Sequence, residues 1–352
     1  MSALDTTPPA PTPDSPLRIE RLSVEFDTAD GVVHAVNDVD LSVRPGETLG
    51  IVGESGSGKS VTARAALRLV PAPGRITSGQ VIVDGRDLTG SSDRTWRRVR
   101  GRSIALVSQD SLTAFNPVRT VGSQLKEAIR LHDRSCSAER ARQRAIELLE
   151  LVGVPDSARR FKEYPHQFSG GMRQRAAIGM AIAHEPAVLI ADEPTTALDV
   201  TIQAQVLETL RTVQRAASSA IILITHDLSV IAEMADRVVV MYAGRVVEEA
   251  PVRELFHRPH HPYTVSLLGS LPRQDGKRER LIPIPGQPPS VIGLPEGCPF
   301  APRCPLFQER DACVVERPEL LQVSPGHHAA CHFKEETGAL RHKLQQAAKS
   351  SE

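Results

Sequence analysis

The chain has 352 residues, enough for about two domains at roughly 150 residues each. With 40% apolar and 24% charged residues it has an ordinary globular composition, which excludes a coiled-coil rod and wholesale disorder. Lys+Arg and Asp+Glu are 42 each, so there is no global pull on nucleic acid or acidic lipid. No run approaches the roughly 18 apolar residues that cross a bilayer, which leaves only a peripheral membrane role.

In chain order, residues 1–16 are rich in Pro, Thr and Ser and lack the basic start and apolar core of a signal peptide. They predict a disordered leader on a chain that stays in the cytoplasm. From Leu17 to about Glu249, β-like runs (LRIERLSVEF, GETLGIVG, GQVIVDG, SIALVSQ, AVLIADEP, AIILITH, RVVVMYAGRVVEEA) alternate with helical stretches. The pattern predicts an α/β domain with a mostly parallel core sheet, complicated by early β-hairpin text. Over about 115–185 strand signals fade, and Ala145, Leu148, Leu149 and Val152 recur at helical spacing, which predicts an inserted helical subdomain. Beyond about Pro251, prolines forbid long helices or central strands, so a loop-dominated segment must be held by something other than secondary structure. The tail from 336 to 352 is polar and predicts a short fraying helix.

Chemistry concentrates at three places. Gly53-Glu54-Ser55-Gly56-Ser57-Gly58-Lys59-Ser60 lies between an apolar strand and a helix, the setting of a phosphate-binding loop. Its backbone N–H groups and helix N-terminus cradle phosphate, Lys59 reaches the β/γ oxygens, and Ser60 offers a hydroxyl to Mg²⁺. The loop alone does not separate kinases, GTPases, motors and transporters. At the end of the strand VLIAD, Asp192 and Glu193 point opposite ways, so Asp192 can face Mg²⁺ while Glu193 holds an attacking water as general base. Ser169-Gly170-Gly171 at a helix start is a second anion-binding geometry, and one ATP cannot easily use both termini from the same subunit.

This ordered set of motifs resembles the ATP-binding cassette (ABC) family over roughly Leu17–Glu249. The resemblance implies a P-loop NTPase cassette at 17–254: a RecA-like core, an antiparallel β subdomain and the helical insert. It also implies two cassettes paired head to tail, each presenting its Ser-Gly-Gly to the other's ATP. It assigns Gln109 to the glutamine loop that senses Mg²⁺ and water, Asp199 to the loop crossing the dimer, and His226 to the γ-phosphate switch. Phe26 falls where the family stacks an aromatic on adenine, and Thr62 joins the residues expected to meet nucleotide. The signature departs from the common form at Phe168 and Met172. FSGGMRQR, QDSLTAFNPV, HRPHHPYTVSLL and the late cysteines resemble the dipeptide/oligopeptide importer ATPases. That branch implies two membrane permeases docking near Ser111–Pro117, a second, paralogous ATPase as heterodimer partner, an extracytoplasmic solute-binding protein, and a position at the cytoplasmic face of the plasma membrane. Nickel, glutathione and oligosaccharide importers of the same family remain alternatives, as does a soluble ABC ATPase of DNA repair or translation. The single cassette and the lack of heptads count against the last, and a metal-sensing regulator would need decayed ATP motifs.

Four cysteines, Cys298, Cys304, Cys313 and Cys331, cluster at 255–335, the small Cys-rich extension of the branch. Four thiolates can close around zinc or a [4Fe–4S] cluster, and irregular loops with Cys-Pro steps favour the cluster; unmetallated thiols or redox disulfides are the third reading. Either metal would clamp the Pro-rich segment. Cys136 is read as an unremarkable thiol. The arginine run Arg94–Arg102 is read as a solvated helix face rather than a nucleic-acid site, and His260, His261, His327, His328 and His332 as surface or turn residues.

Overall fold

The computed structural model describes residues 14–110, 113–196, 198–270, 283–308 and 310–349. The strands are β1 (Leu17–Thr28), β2 (Gly31–Val43), β3 (Thr48–Val52), β4 (Gly74–Val83), β5 (Arg86–Asp87), β6 (Ile104–Val107), β7 (Val188–Asp192), β8 (Ala220–Ile224), β9 (Arg237–Tyr242), β10 (Arg245–Pro251), β11 (Leu321–Ser324) and β12 (His327–Ala329). One antiparallel sheet runs β2-β1-β4-β5. The other runs β11-β12-β10-β9-β3-β8-β7-β6, and its last five strands are parallel.

The parallel strands β3, β7, β8 and β9 are buried along their whole length, as continuous apolar runs in an α/β sheet must be. Side-chain alternation divides them between two cores. Val188 and Ile190 join the antiparallel sheet, Trp96 and the alanines of the helix Lys59–Ala66. Leu189 and Ala191 face the helical side, built from Val121–His132, Ala138–Leu151, Gly170–Ala181 and Val200–Ala217. At Gly171 a Cβ would stand 2.3 Å from Ile202 Cγ2, so its missing side chain is what lets two of these helices close on each other.

The segment beyond Pro251 differs from the loop-dominated expectation. The hairpin β11–β12 extends the main sheet, β12 pairing antiparallel with β10. The helix Pro262–Gly269 adds regular structure, and Thr337–Lys349 is the helix expected of the tail. Much of the fastening is polar and buried. The Glu248 carboxylate of β10 accepts from the backbone N–H of His260 (2.5 Å) and His261 (3.0 Å) and meets His327 Nε2 at 2.7 Å. The reading of His261, His327 and His328 as surface residues is therefore corrected: all three are buried, with His327 Nε2 against the Glu248 carboxylate and His261 Nδ1 accepting from the Tyr263 N–H. Tyr242, Tyr263 and Phe300 pack ring to ring, with centroids 4.6 to 5.4 Å apart.

Burial holds His261 neutral, pulling its pKa from 6.5 to about 4, so the unfolded chain binds a proton that the folded chain refuses between those values. Stability is full above the upper value and falls as pH drops through the window. Denaturant unfolding of the full chain should show this residue contributing roughly 2 kcal/mol of loss between about pH 7.5 and about pH 5. His261→Gln should remove that part of the acid slope, and an unaltered slope would assign it to another group.

Candidate functional site

The loop 53–58 joins the C-terminal end of β3 to the helix Lys59–Ala66. Two of its glycines are obligatory for steric reasons. A Cβ on Gly53 (φ +153°) would lie 2.2 Å from the Met241 carbonyl oxygen, and one on Gly58 (φ +101°) 2.5 Å from that of Ala35. Lys59 is buried, with Nζ donating to the carbonyls of Gly53 (2.8 Å) and Glu54 (2.9 Å) and standing 3.4 Å from Ser57 Oγ. Burial lowers its pKa, opposed by Glu193, Asp192 and Glu54, so three carboxylates keep a desolvated ammonium charged.

Ser60 Oγ donates to Asp192 Oδ1 at 2.8 Å, which joins the helix to the end of β7. Asp192 follows Val188 and Ile190 in strand parity, which is why it meets this helix. Burial raises its pKa, and the Ser60 hydrogen bond works the other way. The hydroxyl–carboxylate pair is the hard-oxygen donor set that a Mg²⁺ ion takes. Glu193 leaves the strand at φ +48°, its N–H bonded to the Ile224 carbonyl at 2.8 Å. Its Oε2 accepts from Gln109 Nε2 (3.0 Å) and Thr196 Oγ1 (2.9 Å), while His226 Nδ1 stands 3.6 Å from Oε1. Lys59, Ser60, Gln109, Asp192, Glu193 and His226 thus converge at the C-terminal ends of parallel strands, where open α/β sheets bind ligands.

Other expected residues have separate surroundings. Thr62 returns its hydroxyl to the Gly58 carbonyl at 3.0 Å within its own helix. Phe26 packs against the core beneath the antiparallel sheet, its ring over Gly74. Ser169 caps the helix Gly170–Ala181 by accepting from the Met172 N–H at 3.3 Å, and exposed Asp199 caps Val200–Ala217 through the Ile202 N–H at 3.0 Å. Of the segment Ser111–Pro117, residues 111 and 112 lie outside the described residues, as does Ala197 beside Asp199. Thr196 escaped the sequence reading, although its place three residues after Glu193 is the spacing at which a hydroxyl reaches back to a carboxylate. Arg303, which binds Glu54 through both carboxylate oxygens, also escaped it. A separation of 249 residues leaves no local signal.

The [4Fe–4S] expectation, and the zinc alternative with it, is corrected. Among the described residues no group of three or more His, Cys, Asp or Glu side chains is arranged to hold a metal ion. Cys298, Cys304, Cys313 and Cys331 do line one cavity, but it is apolar and only about 20 Å³, roughly the room of one water. Burial raises all four thiols, Cys304 to about 11 and Cys331 to about 12. The sheet hairpin, Glu248 and the aromatic rings fasten the described part of the segment.

Known proteins resemble this chain in sequence and fold. The family description "ABC transporter" matches residues 36–196, and "Oligopeptide/dipeptide transporter, C-terminal region" matches 247–313. An oligopeptide transport ATP-binding protein of Mycobacterium tuberculosis is 50% identical over 316 residues, 90% of this chain and 51% of the relative, so the chain spans about half that relative's length. A dipeptide transport ATP-binding protein of Bacillus subtilis is 50% identical over 290 residues, 82% of this chain and 86% of the relative. Among solved structures, the dimeric ATP-binding cassette MJ0796 in a post-hydrolysis state with ADP and Pi superposes with a TM-score of 0.61 at 26% identity. That superposition covers 67% of this chain and 99% of that one.

Proposed function

Because the chain belongs to the ABC transporter family, in its oligopeptide/dipeptide branch, we propose that it is the ATP-hydrolysing subunit of an importer for di- and oligopeptides. The observation that carries this is the convergence of Lys59, Ser60 and Asp192 with Glu193, Gln109 and His226 at the C-terminal ends of the parallel strands. Lys59 and the loop N–H groups hold the β- and γ-phosphates. Glu193 takes the proton of the attacking water, with Gln109 and Thr196 fixing one of its oxygens and His226 standing beside the other. Ser60, Asp192 and Gln109 would hold Mg²⁺, which when bound neutralises charge on the phosphate oxygens. Ser169, Gly170 and Gly171 face the ATP of a second, paralogous cassette, with Asp199 near the crossing.

In this reading residues 17–254 are the cassette and 255–335 the branch's C-terminal extension. Closure of two cassettes on ATP moves two permease subunits fed by an extracytoplasmic solute-binding protein, with this chain at the cytoplasmic face of the membrane. Among the described residues no helix is long and apolar enough to cross a membrane, which supports a peripheral position. Deleting the chain should abolish uptake of labelled di- and tripeptides and leave nickel, glutathione and oligosaccharide uptake intact. Undiminished peptide uptake would overturn the substrate class. Co-purification with DNA or ribosomes in place of two integral membrane proteins would overturn the transport role.

A further inference from the structure

Glu54, inside the phosphate loop, is held from outside the cassette motifs. Arg303 Nη1 and Nη2 donate to its Oε2 and Oε1 at 2.6 and 2.9 Å, a fork-to-fork pair. Its backbone N–H donates to Tyr263 Oη at 2.8 Å. The Glu54 carbonyl, in turn, receives Lys59 Nζ at 2.9 Å, so one residue links the extension to the phosphate-binding ammonium.

The holder is itself rigid. Arg303 is buried, donates through Nε to the Pro285 carbonyl (2.8 Å) and through Nη1 to Tyr242 Oη (3.2 Å), and lies over the Tyr242 ring. Tyr242 and Tyr263 pack against Phe300, three residues before Arg303. Arg303 pairs directly with the Glu54 carboxylate, which Lys59 otherwise meets only through space.

We propose that Arg303 is a positioning residue for the phosphate loop: by holding Glu54 it sets the loop's geometry, so that the C-terminal extension tunes ATP affinity from outside the nucleotide motifs. The proposal rests on the nucleotide-binding reading of residues 53–60. It makes the extension part of the ATP site's second layer, and a disturbance anywhere in the Tyr242–Tyr263–Phe300 packing is relayed to Lys59 through one residue.

The test is isothermal titration of AMP-PNP with Mg²⁺ into the full chain, with melting temperature followed in parallel. Arg303→Met should weaken binding roughly tenfold, and Arg303→Lys should restore part of that loss while lacking the fork. Glu54→Gln breaks the same link from the cassette side and keeps the test open if Arg303→Met does not fold. Because both variants cut one link, the double variant should bind about as Arg303→Met does. Affinity within about twofold of wild type for Arg303→Met, or losses that multiply in the double variant, would overturn the proposal even where the melting temperature falls. Failure of Lys59→Ala, titrated alongside, to weaken binding would overturn the loop reading itself.

Discussion

Glu193→Gln should lower steady-state ATP turnover by about 100-fold or more while nucleotide affinity stays within a few-fold of wild type. The size follows from what the substitution leaves behind. An amide has the shape of the carboxylate, and its oxygen can still accept from Gln109 Nε2 and Thr196 Oγ1, now 3.0 and 2.9 Å from Oε2. The backbone is unaltered in demand: position 193 keeps φ +48° and its N–H bond to Ile224, a left-handed conformation costing any side chain of this kind about 1 kcal/mol. Only basicity disappears. Phosphate release at saturating MgATP measures turnover, and titration of the same variant measures binding. Residual hydrolysis above about a tenth of wild type would remove Glu193 from the role of general base.

Those site residues were legible because each sits at a junction the sequence announces. β3, β7 and β8 are short apolar runs, the first followed by Gly53 and the second ending in Asp192, and period-two alternation alone sends Asp192 toward the Ser60 helix. The hairpin β11–β12 was not legible. Strands of four and three residues carry no measurable periodicity, and they exist because the edge of β10 offers unpaired backbone groups far away in sequence. The buried histidines failed for a related reason. A His-His pair reads as polar until a carboxylate such as Glu248, itself fully buried, is seen to receive it. The cysteines show the opposite error: their clustering in sequence did become one cavity, but its size and apolar lining, set by Phe300, Pro262 and Phe333, do not suit a metal cluster. Proximity of ligand types in sequence says nothing about the volume enclosed between them.

Lys59→Ala should reduce affinity for MgATP by about 100-fold or more, so that turnover is lost through binding as well as chemistry. Lys59 is a buried ammonium whose charge is sustained by Asp192, Glu193 and Glu54. Alanine deletes the cation and leaves Asp192 and Glu193 without its charge beside any phosphate that enters, while Glu54 keeps Arg303, so the variant loses an attraction and acquires a repulsion. The carbonyls of Gly53 and Glu54 lose their donor at the same time, which removes the tie that draws the loop over the helix N-terminus. Lys59→Arg should not rescue binding: a planar fork cannot reproduce the compact ammonium that the Gly53 and Glu54 carbonyls and the Ser57 hydroxyl surround. Equilibrium titration of nucleotide separates this from the Glu193 variant, which keeps its affinity. Were Lys59→Ala to bind ATP like wild type, the reading of residues 53–60 as the nucleotide-binding loop would itself be overturned.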